Sequence, residues 1–178
     1  MRHRICRRKN LPREKGLSDV KAILGLGANL GDAEGNLRRA LECISSLCKT
    51  ELLRVSSFYA TEAVEVNEPQ PPYINCVAEI ETSLSPNALL GACLGIESAL
   101  GRVRVGYKSP RTVDIDLLIY ENFSSDSEEL TLPHPRMMYR AFVLIPLSEL
   151  FPDGTALGVE FGDKLSEVAE QQIELYAK

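Results

Sequence analysis

Hydrophobic and polar positions alternate or recur at fixed spacings from residue 21 onward, and each spacing predicts an element. Residues 21–28 (KAILGLGA) read as a buried strand that runs into a glycine-rich turn, GLGANLG, over residues 25–31. Asp32 is placed to cap a helix reaching about residue 48, with Leu37, Leu41, Ile44 and Cys48 near helical spacing. Residues 52–61 form a second strand, rich in β-branched and aromatic side chains. The proline-punctuated stretch 62–72 is a loop. Residues 73–82 (YINCVAEIET) alternate as a third strand: Tyr73, Asn75, Val77 and Glu79 share one face, and Ile74, Cys76, Ala78 and Ile80 the other. Ser85-Pro86 starts a helix whose buried stripe is Leu89, Cys93, Ile96 and Leu100, ending at Gly101. A basic loop, 102–111, leads into a fourth strand, 112–120 (TVDIDLLIY), with Val113, Ile115, Leu117 and Ile119 on its core face. Residues 129–147 hold two short apolar stretches around PHPRMMYRAF, and a last helix is expected over 164–177.

The resulting order, β-α-β-β-α-β with additions after it, predicts an α+β, ferredoxin-like sandwich: an antiparallel sheet with two helices on one face, then extra C-terminal strands and a helix. A length of 178 residues suits one domain. We expect a single domain over 21–178 behind a disordered basic extension, residues 1–20, and no domain boundary beyond it. The extension has no apolar segment of the secretory kind, and no run in the chain is long enough to span a bilayer.

Charge changes the picture in one respect. Residues 1–20 carry seven Lys/Arg and two acidic residues, leaving 13 basic and 23 acidic residues in the rest. An acidic body is unsuited to general nucleic-acid binding. Six of those 13 basic residues nonetheless fall between Arg102 and Arg140. The five cysteines form no CxxC or Cys/His cluster and read as reduced thiols of a cytoplasmic protein, with Cys43, Cys76 and Cys93 as small core hydrophobes.

The chemistry-bearing residues cluster around SPRTVDIDLLIY. In a strand, Asp114 and Asp116 point to one side, about 6.5–7 Å apart. They are either two ordinary acids on a solvated face or a site for a hard divalent cation such as Mg²⁺. The neighbouring Arg102, Arg104, Lys108, Arg111, Arg136 and Arg140 are either their salt-bridge partners or phosphate ligands. Phosphates bridged by Mg²⁺ need both sets, which favours phosphoryl transfer. His134, between two prolines, is a surface residue or a phosphate donor. Tyr73 and Asn75, together on one strand face, are a cross-strand surface pair or a site for a flat heterocycle. The GxGxxxG spacing fits neither a dinucleotide turn nor a P-loop.

Taken in order, GLGANLG, SSFYAT, the Y-x-N of YINCVAEIETS, IESALGRVR, SPRTVDIDLLIY and LTLPHPRMMYRAFVLIPL resemble the 6-hydroxymethyl-7,8-dihydropterin pyrophosphokinase family over roughly residues 21–154. The resemblance implies transfer of pyrophosphate from ATP to the pterin hydroxymethyl group, with AMP left behind. It implies two Mg²⁺ ions on Asp114 and Asp116. Arg102 and Arg111 join these two as catalytic residues. Thr61, Val64, Tyr73, Asn75 and Phe142 would bind the pterin. Glu97, Arg102, Arg104, Arg111, His134 and Arg140 would surround the nucleotide, with Leu117, Leu130 and Thr131 lining its adenine pocket. The sequence departs from the family at 105–110 (VGYKSP), where Val105 and Lys108 replace a frequent Lys and Trp, and at Glu62, where a proline is common. The expected partners are the two small-molecule substrates, with no nucleic acid, no membrane, a monomer, and no fused second enzyme. The alternatives are a non-catalytic nucleotide-binding module and a nucleic-acid-binding domain of the same topology.

Overall fold

The computed structural model describes residues 19–62, 70–102 and 110–176. The expected positions Val64 and Arg104, the loop residues Val105 and Lys108, and most of the basic extension lie outside them.

The elements in chain order are β1 (Val20–Ala28), α1 (Ala33–Ser46), β2 (Thr50–Val55), β3 (Tyr59–Thr61), β4 (Tyr73–Thr82), α2 (Pro86–Ala99) and β5 (Asp114–Tyr120). A small hairpin follows, β6 (Ser125–Asp126) and β7 (Thr131–Leu132), then α3 (Ala141–Leu150). The C-terminal part holds β8 (Thr155–Ala156), β9 (Val159–Glu160) and β10 (Glu174–Leu175). The main sheet runs β10-β3-β4-β1-β5, with β2 also on β4, and each of these pairings is antiparallel. The caps work as expected. Asp32 Oδ1 accepts the Gly35 N–H at 3.0 Å, and Ser85 Oγ accepts that of Ala88 with Pro86 in the first turn.

The sheet is covered on both faces. Ala22, Leu24, Leu26 and Ala28 of β1, with Ile74, Cys76, Ala78 and Ile80 of β4, pack under α1 and α2. Ile23, Val77 and Leu118 face the other way, against Leu144 and Leu147 of α3 and Phe161. The pattern does not announce α3. AFVLIPLSEL is apolar nearly all round and contains Pro146, so it has no amphipathic stripe to read. Its site is chosen by the sheet face it covers.

Four local expectations are corrected. The strand over 52–61 is broken between β2 and β3, because Ser56 enters the ladder: its N–H donates to Val77 O and its Oγ accepts the Val77 N–H. The expected helix over 164–177 does not form: in its described part, 164–176, a 3-10 turn ends at Leu165 and no α-helix follows. The Gln171 side chain accepts the Ala141 N–H at the start of α3 and donates to Tyr139 O, and β10 then pairs with the edge of β3. The N–H groups of Glu167, Ala169 and Gln171 bond three residues back as turns, and that of Tyr176 bonds Phe58 O, in place of an α-helical ladder. Ile119 lies on the α3 face, opposite Val113, Ile115 and Leu117. The β1–β5 register shifts there, pairing Ile23 with Ile119 but Leu24 with Leu117, so Leu118 is an extra residue and the alternation flips. Finally, Gly25 and Gly27 belong to β1, and only Gly31, with φ of 66°, sits in the turn.

If α3 carries the second core, Leu144→Ala lowers unfolding free energy by about 2–5 kcal/mol. Urea denaturation measures it, and a loss below about 1 kcal/mol would mean the helix is only loosely seated.

Candidate active site

Three neighbouring strands present the site on the α3-facing side of the sheet. Gly27 of β1 pairs with Asn75 on one edge and Asp114 on the other; Gly25 pairs with Val77 and Asp116. The amide and the carboxylates therefore stand two strand spacings apart, about 9–10 Å, with a side-chain-free strip between them. Glycine is required at position 27 by contact. A β-carbon there would lie 2.8 Å from Asn75 Oδ1.

On the β4 side, Asn75 is buried and donates from Nδ2 to Thr61 Oγ1 at 3.0 Å. Tyr73 stands beside it, paired with Thr61. Burial raises the Tyr73 hydroxyl pKa, with Arg111 and Asp114 acting on it in opposite directions, so the tyrosine feels the charges across the strip. Phe142, the second residue of α3, lies under the Arg140 guanidinium, 5.3 Å from ring centre to Cζ.

On the β5 side, Asp114 is held by two guanidinium groups. Arg102 reaches Oδ1 at 2.7 Å, and Arg111 bonds Oδ2. Asp116 has a looser partner, Arg140 at 3.6 Å, and its side chain is 40% exposed. Burial and the adjacent Asp114 raise its carboxyl pKa. Behind them, buried Glu97 accepts the Ile115 N–H at 2.7 Å and also bonds Arg102. It orients an arginine and an edge-strand amide from the rear wall.

His134 lies along the free edge of β5, its N–H donating to Leu118 O at 2.8 Å. Its Nδ1 accepts the Arg136 N–H, and burial lowers its pKa despite Asp116 nearby. A neutral ring bonded this way carries its proton on Nε2, ready to donate.

A cavity of about 330 Å³ wraps around this edge and touches Glu97, Arg102, Arg111, Asp114, Asp116, Leu117, Leu130, Thr131 and His134. The sequence-predicted nucleotide residues that are described, all but Arg104, are thus gathered in one place, Arg140 through its pairing with Asp116. Leu90 and Leu94, which sequence reasoning missed, form its apolar wall on α2. Their signal was present: they are spaced i, i+4 but lie off the stripe that fills the core. Gln171, which bonds the start of α3 from the C-terminal segment, had no signal in the sequence.

The family model for 7,8-dihydro-6-hydroxymethylpterin-pyrophosphokinase matches residues 23–152. The chain belongs to this family. It is 42% identical over 132 residues to a 2-amino-4-hydroxy-6-hydroxymethyldihydropteridine pyrophosphokinase of Synechocystis, covering 74% of this chain and 67% of that one. The like-named protein of Methylorubrum extorquens is 38% identical over 155 residues, 87% of this chain and 98% of its own. Among solved structures, a Plasmodium falciparum HPPK-DHPS with pteroate superposes with a TM-score of 0.66 at 12% identity. The match covers 87% of this chain but 43% of that larger one, and at this identity it establishes the family fold alone.

The raised Asp116 pKa has a consequence for stability. A folded-state pKa above the unfolded value means a contribution that is full below the unfolded pKa and lost as pH rises through the folded one. The ionised group therefore opposes folding at neutral pH, modestly because it is partly solvated. Asp116→Asn raises the melting temperature of the ligand-free protein at neutral pH, and the gain shrinks toward about pH 4. A melting series over that range checks it; a fall at neutral pH would contradict it.

Proposed function

We propose that the protein transfers the β,γ-pyrophosphoryl group of ATP to the hydroxymethyl oxygen of 6-hydroxymethyl-7,8-dihydropterin, releasing AMP, as a step of folate biosynthesis. Family membership across most of the chain supports the reaction. The observation that carries the residue assignment is the strip of β1 between Asn75 and the two aspartates, which joins a heterocycle site to a phosphate site.

The two halves follow from their chemistry. Tyr73, Phe142 and the Asn75 amide offer aromatic faces and a donor–acceptor pair to the pterin, with Thr61 fixing the amide. Leu90, Leu94, Leu117 and Leu130 offer an apolar slot to the adenine, beside Thr131. Arg102, Arg111, Arg140 and the His134 Nε2–H are donors for the triphosphate. Val64 and Arg104 belong to this reading through the family resemblance alone.

The donor set fits Mg²⁺. Among the described residues no three His, Cys, Asp or Glu side chains converge on one point. Two carboxylates on one face suit an ion that completes its shell with water and substrate oxygens. Asp114 and Asp116 would hold two such ions, which would supply positive charge to the phosphates of the nucleotide. Asp114 is meanwhile neutralised by Arg102 and Arg111, the groups best shaped for phosphate. Nucleotide binding thus exchanges partners, the guanidinium forks turning from carboxylate to phosphate. Alignment across the glycine strip and charge stabilisation by these forks supply the catalysis, with no strong base required at the hydroxyl.

The order β5-β1-β4-β2, with α1 and α2 on one face, supports reading the core as ferredoxin-like, with α3 and β10 as additions. The described cysteines are free, which supports a reducing, cytoplasmic setting. No helix among the described residues is long and apolar enough to cross a membrane. One chain supplies both half-sites, which supports action as a monomer.

AMP formation from ATP, Mg²⁺ and the pterin tests the proposal and separates it from a non-catalytic nucleotide-binding module. Asp116→Ala lowers turnover by about 10³-fold or more; near-normal AMP formation would sink the assignment. Gly27→Ala drives Asn75 off its position and weakens pterin binding by about tenfold or more. Calorimetry with and without a bound ATP analogue reads this, and an unaltered pterin affinity would count against the strip.

A further inference from the structure

β1 ends at Ala28, and the next side chain, Asn29, is only 2% exposed. Its amide is divided between the two halves of the site. Oδ1 accepts the Arg111 N–H at 2.8 Å, and the Asn29 and Leu30 N–H groups both donate to Arg111 O, at 3.0 and 3.1 Å. Nδ2 donates to Gln70 Oε1 at 3.1 Å and to Pro71 O at 3.4 Å. Arg111 carries the guanidinium that bonds Asp114, and Gln70–Pro71 leads directly into Tyr73.

We propose that Asn29 is a positioning residue that sets the nucleotide half and the pterin half of the site in register with each other. This rests on the pyrophosphoryl-transfer reading above.

The residue type follows from its partners. A backbone N–H only donates and a proline carbonyl only accepts, so the amide has one satisfactory orientation. Aspartate would set a second oxygen against Pro71 O, and leucine would leave a buried N–H and a carbonyl unpaired. Asn29 itself reaches no ligand surface of the cavity. Its effect passes through the backbone of Arg111 on one side and of Pro71 on the other. A shift of about 1 Å at either is enough to spoil an aligned transfer.

Removing both ties at once, and then the Gln70 contact by itself, distinguishes this role from a general contribution to folding. The probes are α,β-methylene-ATP with Mg²⁺, then 6-hydroxymethylpterin added to the nucleotide-loaded protein, both by calorimetry, with melting temperature alongside. Asn29→Ala is expected to weaken both ligands, each by about five- to tenfold. Gln70→Ala is expected to weaken the pterin alone by about two- to fivefold and leave the nucleotide unchanged. The double variant loses less pterin affinity than the sum of the two single losses, because the Asn29–Gln70 bond is common to both.

The proposal is overturned if Asn29→Ala lowers the melting temperature with both affinities intact, if only one ligand is affected, or if the double variant is additive. Should Asn29→Ala not fold, Gln70→Ala still decides: an unchanged pterin affinity, or an equal loss for both ligands, rejects it. Wild-type protein that takes up nucleotide but no pterin would instead reject the reaction, so the two failures are distinguishable.

Discussion

Everything in this site depends on one strand being paired along both edges. β1 runs between β4 and β5, and its ladder fixes which residue of each neighbour stands opposite which. Register in a sheet is all or none on each face, since a slip of one residue exchanges the two sides. With Gly27 opposite both Asn75 and Asp114, the amide and the carboxylate share a face. A slip by one on either edge would turn one of them into the α1–α2 core. The hydrophobic alternation of β1 and β4 prevents this, because four residues of each are committed to that core.

The same geometry accounts for the glycines. A ligand extending from the amide to the carboxylates must cross β1, and a side chain at position 25 or 27 would stand in its path. At position 27 the constraint is sharper, because Asn75 already occupies the space a methyl would need. Electrostatics then divides the two acids. Asp114 is covered by two guanidinium groups and Asp116 by one distant one, so the second carboxylate bears most of the penalty of proximity. A cation would remove that penalty, which supports the proposed Mg²⁺ site.

Support for the site comes from elements of two kinds. α2 serves it twice, with Leu90 and Leu94 as wall and Glu97 as the rear anchor of Arg102 and Ile115. The C-terminal segment serves it at a distance. Gln171 caps the first turn of α3, the turn that carries Phe142 and follows Arg140. A cap of this kind satisfies an otherwise orphaned helix N–H and fixes where the helix begins.

The four main strands, the helices α1 and α2 with their caps, and the same-side placement of Asp114 with Asp116 and of Tyr73 with Asn75 were all legible in the sequence. Each follows from a period of two or 3.6 residues, or from a cap within three residues of the helix start, and such information is local. SPRTVDIDLLIY and its companions added the family, and with it the proposed ligands. What the sequence left open was decided between distant segments. Ser56 breaks a strand because Val77 is there to bond it. Leu118 bulges because β1 imposes its register, and that sends Ile119 to the opposite core. Residues 164–176 forgo an α-helix for α3 and the edge of β3, and α3 itself forms where an uncovered sheet face needs an apolar partner. In each case the deciding hydrogen bond or buried surface belongs to a residue far away in the chain, where no local period can record it.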